Sequence, residues 1–542
     1  MQRLYRKQHI VTSVVAVILD DHDRVLLTRR SVPPFLGLWV MPGGKIGLGE
    51  PMLSALHREV REEVGIDVTV GALVDVFEHV TPGDENDHHV ILYHRCRPSR
   101  LELSPNPAEV AEARWVSRDE LPRYPLPEGA RHVLSLVFPE LGRPETLAPP
   151  DARPRVRILD APVGLAYPLG HHLHCLVGQI PTRLETAERG YAIADPAGQW
   201  ALVRSVLDVA ATGEHGLGKV HFLVLPESAV PAGRLDDVLA AVAGRFRESS
   251  VTMLGLEHVR LRAYRELLRR FRGDNGEALE LVERDVRDGA PEDLPVNACA
   301  IVVKEPGGRL RVLLEAKSHP FRGEEFLDRW SDLYRGRHFY LLRSSPACFN
   351  FMVLVCLDYL YRDLYASNIR QVIDRANQLF FTTRQTLDAL FVLQCDPKPE
   401  HPAYRDVLAG FYGEYLEDTP GVRETVTVFG NCSGESAIDR EPSEGRFGAS
   451  SVVFGRRHKL ARVQGAEFST DDFGGAPLCR LRFGRATRLY YFNLPLAHEP
   501  DPRSSRAPLK VHQILARAAG GGWEPVAGGG TGHDLALGER GP

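Results

Sequence analysis

Lysine is scarce in this chain. Its 542 residues hold eight lysines, so nearly all of the 66 basic side chains are arginines and a well-placed lysine carries information. Cysteine is also sparse, at 8 residues, and none falls in a CxxC or a Cys/His cluster of zinc-site spacing. That excludes a disulfide scaffold and points to small buried thiols in a reducing compartment. No uncharged apolar run reaches the roughly 18 residues that a membrane helix needs. No polybasic field exists either, since 66 basic residues face 71 acidic ones for a net charge of −5. The chain therefore offers no nucleic-acid or membrane-surface signature. With 43% hydrophobic and 25% charged residues it has the composition of a folded protein, not of a disordered chain or a fibre. At roughly 100–200 residues per domain, the length implies two to four domains.

The N-terminus, MQRLYRK followed by IVTSVVAVIL, has the outline of a signal peptide. DDHDRVLLTRR follows with no small-residue cleavage site, so the segment reads as two strands, 10–19 and 24–30, joined by a turn at Asp20–Asp23. A cytoplasmic location is expected. A helix is expected over 50–64, strands near 68–80, 88–97 and 113–116, and a helix from about Arg118. The Pro-rich stretch RPETLAPPDARPRVRI reads as a linker, giving boundaries at 1–142, 143–170 and 171–502. Within the third segment, runs such as LHCLVGQI, VHFLVLPE, FMVLVCLDY and ALFVLQCD read as strands buried on both faces. Residues 256–287 read as charged surface helices, and the Gly/Arg-rich tail, 503–542, as disordered.

Two places carry chemistry. The first is GKIGLGEPMLSALHREVREEVGI, residues 44–66. With 52–64 helical, Glu59, Glu62 and Glu63 stand at i, i+3 and i+4 and share one face, with Leu53, Leu56 and Val60 opposite. Three adjacent carboxylates repel one another unless a cation sits among them. An all-oxygen, negative site suits Mg²⁺ or Mn²⁺ beside substrate phosphates. Gly43 and Gly44 allow close backbone approach. An acidic helix face alone is commonly just a solvated surface. Here, however, nine positions are fixed over 23 residues as G-x5-E-x7-REU-x-EE-x-GU, which resembles the Nudix box without a departure. The similarity extends over residues 8–140, with LWVMPGG before the box and AEARWVSRDEL after it.

That resemblance implies an α/β/α sandwich that hydrolyses a nucleoside diphosphate derivative. Glu59, Glu62 and Glu63 would hold the metal with help from Glu50, and Arg58 would pair with a box carboxylate. Arg29, Arg30, Gly43 and Gly44 are candidates for substrate contact. Glu109 or Glu112 is a candidate extra base, although both also read as solvent-facing charge. Pro82, sixteen residues after Ile66, resembles the ADP-ribose-hydrolysing branch and favours that substrate class over nucleoside triphosphates.

The second place is dispersed. VHFLVLPES ends at Glu227, RVLLEAKSHPF at Lys317 and FMVLVCLDY at Cys356. A carboxylate can take a thiol proton, and an ammonium can stabilise a thiolate and then an oxyanion, so the three together suit acyl transfer. Singly, each has a plain structural reading: a packed thiol, a surface lysine, a helix-start acid. Together they resemble the carbon–nitrogen hydrolase (nitrilase) superfamily, through VLPE, Lys317-Ser318-His319 leading to Glu324, Cys356-Leu357-Asp358, VFGNCSGES around Asn431, and FGASSVVFG. The departures are a long charged insert between Glu227 and Lys317, and Leu357 where an aromatic residue is common. The resemblance implies a four-layer α-β-β-α sandwich, a small amide substrate and a homo-oligomer.

The whole then reads as a two-domain α/β hydrolase, with a nucleotide substrate at one site and an amide at the other. The alternative is a Nudix module that senses a nucleotide and regulates a nitrilase-like effector.

Overall fold

The computed structural model describes residues 11–138, 156–320, 333–397 and 425–539, together with positions 399, 408 and 422. Within those ranges it leaves out 32–36, 81–87, 168–171, 189, 348, 361–367, 381–384, 440–446, 456–457, 473–477, 496–508 and 531–534. The chain divides into two compact units, Met1–Pro154 and Arg155–Pro542.

In the first unit, Val11–Ile18 lies between Gly43–Lys45 and His88–Pro98, with Val68–Val80 beyond, in one four-stranded sheet. Val25–Arg30 joins Trp39–Val40 and Val110–Val116 in a separate three-stranded sheet. The expected hairpin is thus a corner between sheets, with a single bridge at Leu19–Val25. Asp20 makes that corner: its carboxylate accepts from the backbone N–H of His22 and Arg24 at 2.9 and 2.8 Å, a common use of Asp in turns. The helix Met52–Val64 buries Ala55, Leu56, Val60, Glu63 and Val64 and ends on Gly65, whose φ of 72° is the left-handed cap. Leu53, expected on the buried face, is 45% exposed. The other helix, Glu128–Val137, closes a second core with Val133 and Leu134. Near Arg118 the chain first makes a short 3₁₀ turn, Arg118–Arg123.

The second unit is built on two eight-stranded sheets. In order, the first contains Leu310–Ala316, Ala298–Lys304, Ser250–Gly255, Phe222–Val224, His174–Gln179, Arg488–Asn493, Val511–Arg517 and Trp523–Pro525. The second contains Phe468–Asp471, Leu478–Phe483, Ser451–Gly455, Val426–Asn431, Ala389–Gln394, Asn350–Val355, His338–Pro346 and Arg157–Leu165. They pack face to face. Phe222 of the first meets Phe349, Phe351 and Phe391 on the second unit's other sheet side, with ring centroids 5.2, 5.7 and 5.3 Å apart. Pro196–Thr212 and Leu235–Arg245 cover the outer face of the first sheet. Lys304, on that sheet, donates from Nζ to the carbonyls of Ala243 and Phe246 at the C-terminal end of the latter helix, at 2.6 and 2.8 Å. Asn368–Phe380 covers the second sheet, through Val372, Ile373 and Ala376 against Met352, Leu354 and Leu390. The layers run α-β-β-α. The expected charged helices are Leu261–Arg270 and Arg272–Arg287.

Two boundaries expected from composition are corrected. The 143–170 linker ends early, because Arg157–Leu165 pairs in parallel with His338–Pro346 along its whole length. Its Pro162 is tolerated because the strand is the sheet's edge and a missing N–H there breaks no ladder. Within 503–542, the described residues 509–530 and 535–539 are not a disordered extension. Val511–Arg517 and Trp523–Pro525 extend the first sheet, and Ala536–Glu539 pairs with His458–Leu460. Val511, Ile514, Leu515, Trp523 and Leu535 are buried, and the glycines at 520–522 and 528–530 lie in the connections beside the strands.

Candidate active sites

In the first unit the box residues converge through one arginine. Arg58 donates from Nε and Nη2 to the two oxygens of Glu50, at 2.8 and 3.0 Å. Its Nη1 donates to Glu59 at 2.8 Å and Glu62 at 3.0 Å. Those bonds hold the Glu50 carboxyl down at about 2 and raise the guanidinium's own pKa, Glu50 first. Glu63 faces inward and is 2% exposed. Burial pushes its carboxyl up to about 7, against the pull of the Gly43 N–H, which donates to it at 3.1 Å, and of Arg30 at 3.7 Å. Glu59 is also raised, mainly by burial. Neither glycine leaves free space for a side chain. A Cβ on Gly44 would lie 2.4 Å from the Glu59 carboxyl carbon, and one on Gly43 would lie 2.4 Å from the Val14 carbonyl oxygen.

Of the two outlying acids, Glu109 adds its charge to both Glu59 and Glu63 and raises each. Glu112 instead faces Arg29, at 3.7 Å, and Arg114. Arg29 and Arg30 are thus each set beside an acid. Pro82 lies outside the described residues, so the ADP-ribose preference gains no support from structure.

The donor set fits a hard divalent cation in type, because every candidate ligand atom is a carboxylate oxygen, and burial raises both Glu59 and Glu63. Among the described residues, no three His, Cys, Asp or Glu side chains stand in ligand geometry. Arg58 draws Glu50, Glu59 and Glu62 onto itself instead.

In the second unit Glu227 and Lys317 meet as expected. Lys317 Nζ donates to Glu227 Oε1 at 2.8 Å, with the lysine 0% and the glutamate 3% exposed. The route explains how residues so distant in sequence meet. After Phe222–Val224 the chain crosses Gly255, where a Cβ would lie 2.4 Å from Glu227 Cα. Asn297, just before the next strand, donates from Nδ2 to Glu227 Oε1 at 2.8 Å, and its carbonyl accepts from the Lys317 N–H at 2.8 Å. The other Glu227 oxygen accepts from the Cys395 N–H at 3.0 Å.

Cys356 follows Asn350–Val355 on the other sheet. Its N–H donates to the Leu393 carbonyl at 2.8 Å, two residues before Cys395. Its φ is +46°, a left-handed conformation that costs a non-glycine residue on the order of 1 kcal/mol or more and is concentrated at functional positions. The Cys395 thiol is pushed well above its usual range, first by the Cys432 thiol 3.6 Å away, then by burial, with the charges of Glu227 and Cys356 adding to the effect. Cys356 and Glu227 are thus hydrogen-bonded to the same short segment, through Leu393 and Cys395 respectively.

Asn431 has a structural task. Its side chain accepts from the N–H of Asp396 and donates to the carbonyls of Asp396 and Gly448, at 3.0, 3.0 and 2.9 Å, tying loops at the strand ends. Glu324 lies outside the described residues. Sequence reasoning missed Asn297 and Cys395, and it named Asp358 only within the Cys356-Leu357-Asp358 run without a role; each is joined to the site by hydrogen bonds across long sequence separations.

The family model for the NUDIX domain matches residues 9–137. An 8-oxo-dGTP diphosphatase of Proteus vulgaris is 38% identical over 88 residues, covering 16% of this chain and 72% of the relative. The chain belongs to the Nudix family. The human m7GpppN-mRNA hydrolase NUDT17 is 32% identical over 196 residues, 32% of this chain and 56% of that protein. The chain spans about half the length of the first curated relatives it matches, with 56%, 41% and 47% covered. Among solved structures, the MutT Nudix hydrolase of Burkholderia pseudomallei is 30% identical, with 24% of this chain and 99% of that one covered and a TM-score of 0.23. Among the described residues no helix is long and apolar enough to cross a membrane.

Proposed function

We propose that the chain is a bifunctional hydrolase: a metal-dependent pyrophosphohydrolase of nucleotide derivatives in its first unit, and a thiol-dependent carbon–nitrogen hydrolase in its second. The first reading is carried by the complete acidic helix, Glu59, Glu62 and Glu63, set against the Gly43–Gly44 strand. Mg²⁺ or Mn²⁺ bound there would neutralise phosphate charge and activate a water. The chain's own residues do the positioning. Arg58 fixes Glu50, the Gly43 N–H and Arg30 orient Glu63, and the bare Gly44 backbone leaves room for the Glu59 carboxylate. The relatives named for capped mRNA and for 8-oxo-dGTP support a substrate in which a phosphoanhydride joins a nucleotide to another group. The measurement is Mg²⁺-dependent product formation from ADP-ribose, 8-oxo-dGTP and a cap dinucleotide. Turnover unchanged in EDTA would overturn this reading.

The second reading is carried by the buried Lys317–Glu227 pair beside the strained Cys356 turn. An ion pair excluded from water costs several kcal/mol in desolvation, so its position at strand ends calls for a reason other than stability. In the proposed reaction Glu227 takes the Cys356 thiol proton as sulfur bonds to the acyl carbon, and Lys317 stabilises the oxyanion. Glu227 then returns the proton to the departing amine, and water cleaves the thioester. Small amides with ammonia detection test this. Release that persists in Cys356→Ala would contradict it.

A further inference from the structure

Asp358 is fully buried and lies two residues after Cys356, in the short helix Leu357–Leu360. Its Oδ1 accepts three hydrogen bonds, all from the two residues that follow Lys317. The Ser318 N–H donates at 2.9 Å, the Ser318 hydroxyl at 2.7 Å and the His319 N–H at 2.9 Å. From the helix Asn368–Phe380, the Asn368 side chain donates to the Asp358 carbonyl at 2.9 Å and stands 3.3 Å from both Ser318 Oγ and His319 Nδ1. The Ser318 hydroxyl has a single proton. With it committed to Asp358, the His319 Nδ1 at 2.7 Å is the donor and Ser318 Oγ the acceptor.

The geometry has a consequence. Lys317 ends a strand of one sheet and Cys356 follows a strand of the other. The Lys317 backbone is itself held from both sides, its N–H on the Asn297 carbonyl just before a first-sheet strand and its carbonyl on the Gly336 N–H just before the second sheet's His338–Pro346, at 2.8 and 3.0 Å. One carboxylate then ties the segment after the lysine to the segment after the cysteine. A buried carboxylate that accepts three such bonds costs more to form than an apolar contact would, and removing its partners would leave it buried and unsatisfied. Such a network is rigid, and rigidity is what a lysine needs to act on a thiol at fixed distance.

We infer that Asp358 is the positioning residue of the second site: through Ser318 and His319 it holds the Lys317 ammonium in register with Cys356. This deepens the thiol-hydrolase reading and rests on it. The role needs no substrate to be tested, because the quantity set by Lys317 is the thiolate fraction of Cys356. The experiment is alkylation of the full chain by iodoacetamide across pH, with Cys356 followed by peptide mapping. The variants are Lys317→Met, Asp358→Ala, Asp358→Asn and Ser318→Ala.

The expected result has three parts. In the wild type, Cys356 alkylates with a midpoint below that of an ordinary thiol. Lys317→Met and Asp358→Ala move the midpoint up, and the rate near neutral pH falls about tenfold per unit of midpoint shift. Asp358→Asn, which keeps a neutral acceptor for the same donors, recovers part of it. Should Asp358→Ala fail to fold, Asp358→Asn and Ser318→Ala still shift in the same direction by less. If the Asp358 and Ser318 variants lower the melting temperature but keep the wild-type midpoint while Lys317→Met raises it, Asp358 is merely structural and the inference is overturned. If Lys317→Met itself leaves the midpoint unchanged, the thiol-hydrolase reading falls and the inference falls with it.

Discussion

Gly44→Ala separates positioning from folding in the first unit. Gly44 sits opposite Val14 in the sheet, and the Glu59 carboxylate lies against its bare backbone. A Cβ there would be 2.4 Å from Glu59 Cδ and 2.5 and 2.6 Å from its two oxygens. Ordinary contact begins at 3.4 Å, so the carboxylate must retreat by about 1 Å. The obstacle is the far end of a flexible side chain, not backbone, so the fold accommodates it for about 1 kcal/mol or less. A misplacement of about 1 Å costs on the order of a hundredfold in rate, or about 2.7 kcal/mol of barrier. Gly43→Ala is the contrast. Its Cβ would lie 2.4 Å from the Val14 carbonyl oxygen and 2.6 Å from Val15 Cα, both backbone, at a φ of +155°. That variant should lose stability by about 2 kcal/mol or more. The assay pairs calorimetric melting with Mg²⁺-dependent kcat/KM. If Gly44→Ala melts and turns over like the wild type, Glu59 has no role at the position the structure gives it.

Three further outcomes are expected. Glu62→Gln removes one charge from an exposed carboxylate and should leave the melting temperature nearly unchanged while lowering nucleotide turnover about a hundredfold; equal turnover in the two proteins would exclude Glu62 as a ligand. Gly255→Ala should displace backbone, because its Cβ would meet Glu227 Cα at 2.4 Å and Ser228 N at 2.5 Å; the expected loss is about 1–3 kcal/mol in chemical denaturation together with slower Cys356 alkylation, and normal values of both would refute the crossing. Burial raises the Asp388 carboxyl from 3.8 to about 7, so the folded state keeps a proton that the unfolded state releases, and stability falls as pH rises between those values. Asp388→Asn should flatten the stability curve over that interval, and an unchanged slope would show that Asp388 is ionised in the fold.

The acidic helix was legible because its nine fixed positions fall within one stretch of 23 residues, and a helix converts spacing directly into a shared face. The strands bearing Glu227, Lys317 and Cys356 were legible from their apolar runs. The groups that complete the second site were not. Asn297 and Cys395 reach Glu227 across 70 and 168 residues, and Asp358 reaches Ser318 across 40. No local pattern encodes such contacts, which depend on the order of strands in two sheets. The errors at 143–170 and 503–542 have a related cause. Proline and glycine mark irregular backbone, yet an edge strand tolerates the first, and tight connections between short strands use the second. Val11–Ile18 and Val25–Arg30 looked like a hairpin because the sequence shows a turn and not the sheet each strand enters.

The central claim is that the Nudix unit turns over a nucleotide at its acidic helix. The most direct measurement is product formation from a panel of nucleotide diphosphate derivatives with Mg²⁺, comparing the wild type with Glu63→Gln, a change of charge with little change of volume. The account predicts turnover by the wild type, a loss of about a hundredfold or more in Glu63→Gln, and none in EDTA. Wild-type rates in Glu63→Gln, or with the metal removed, would contradict it.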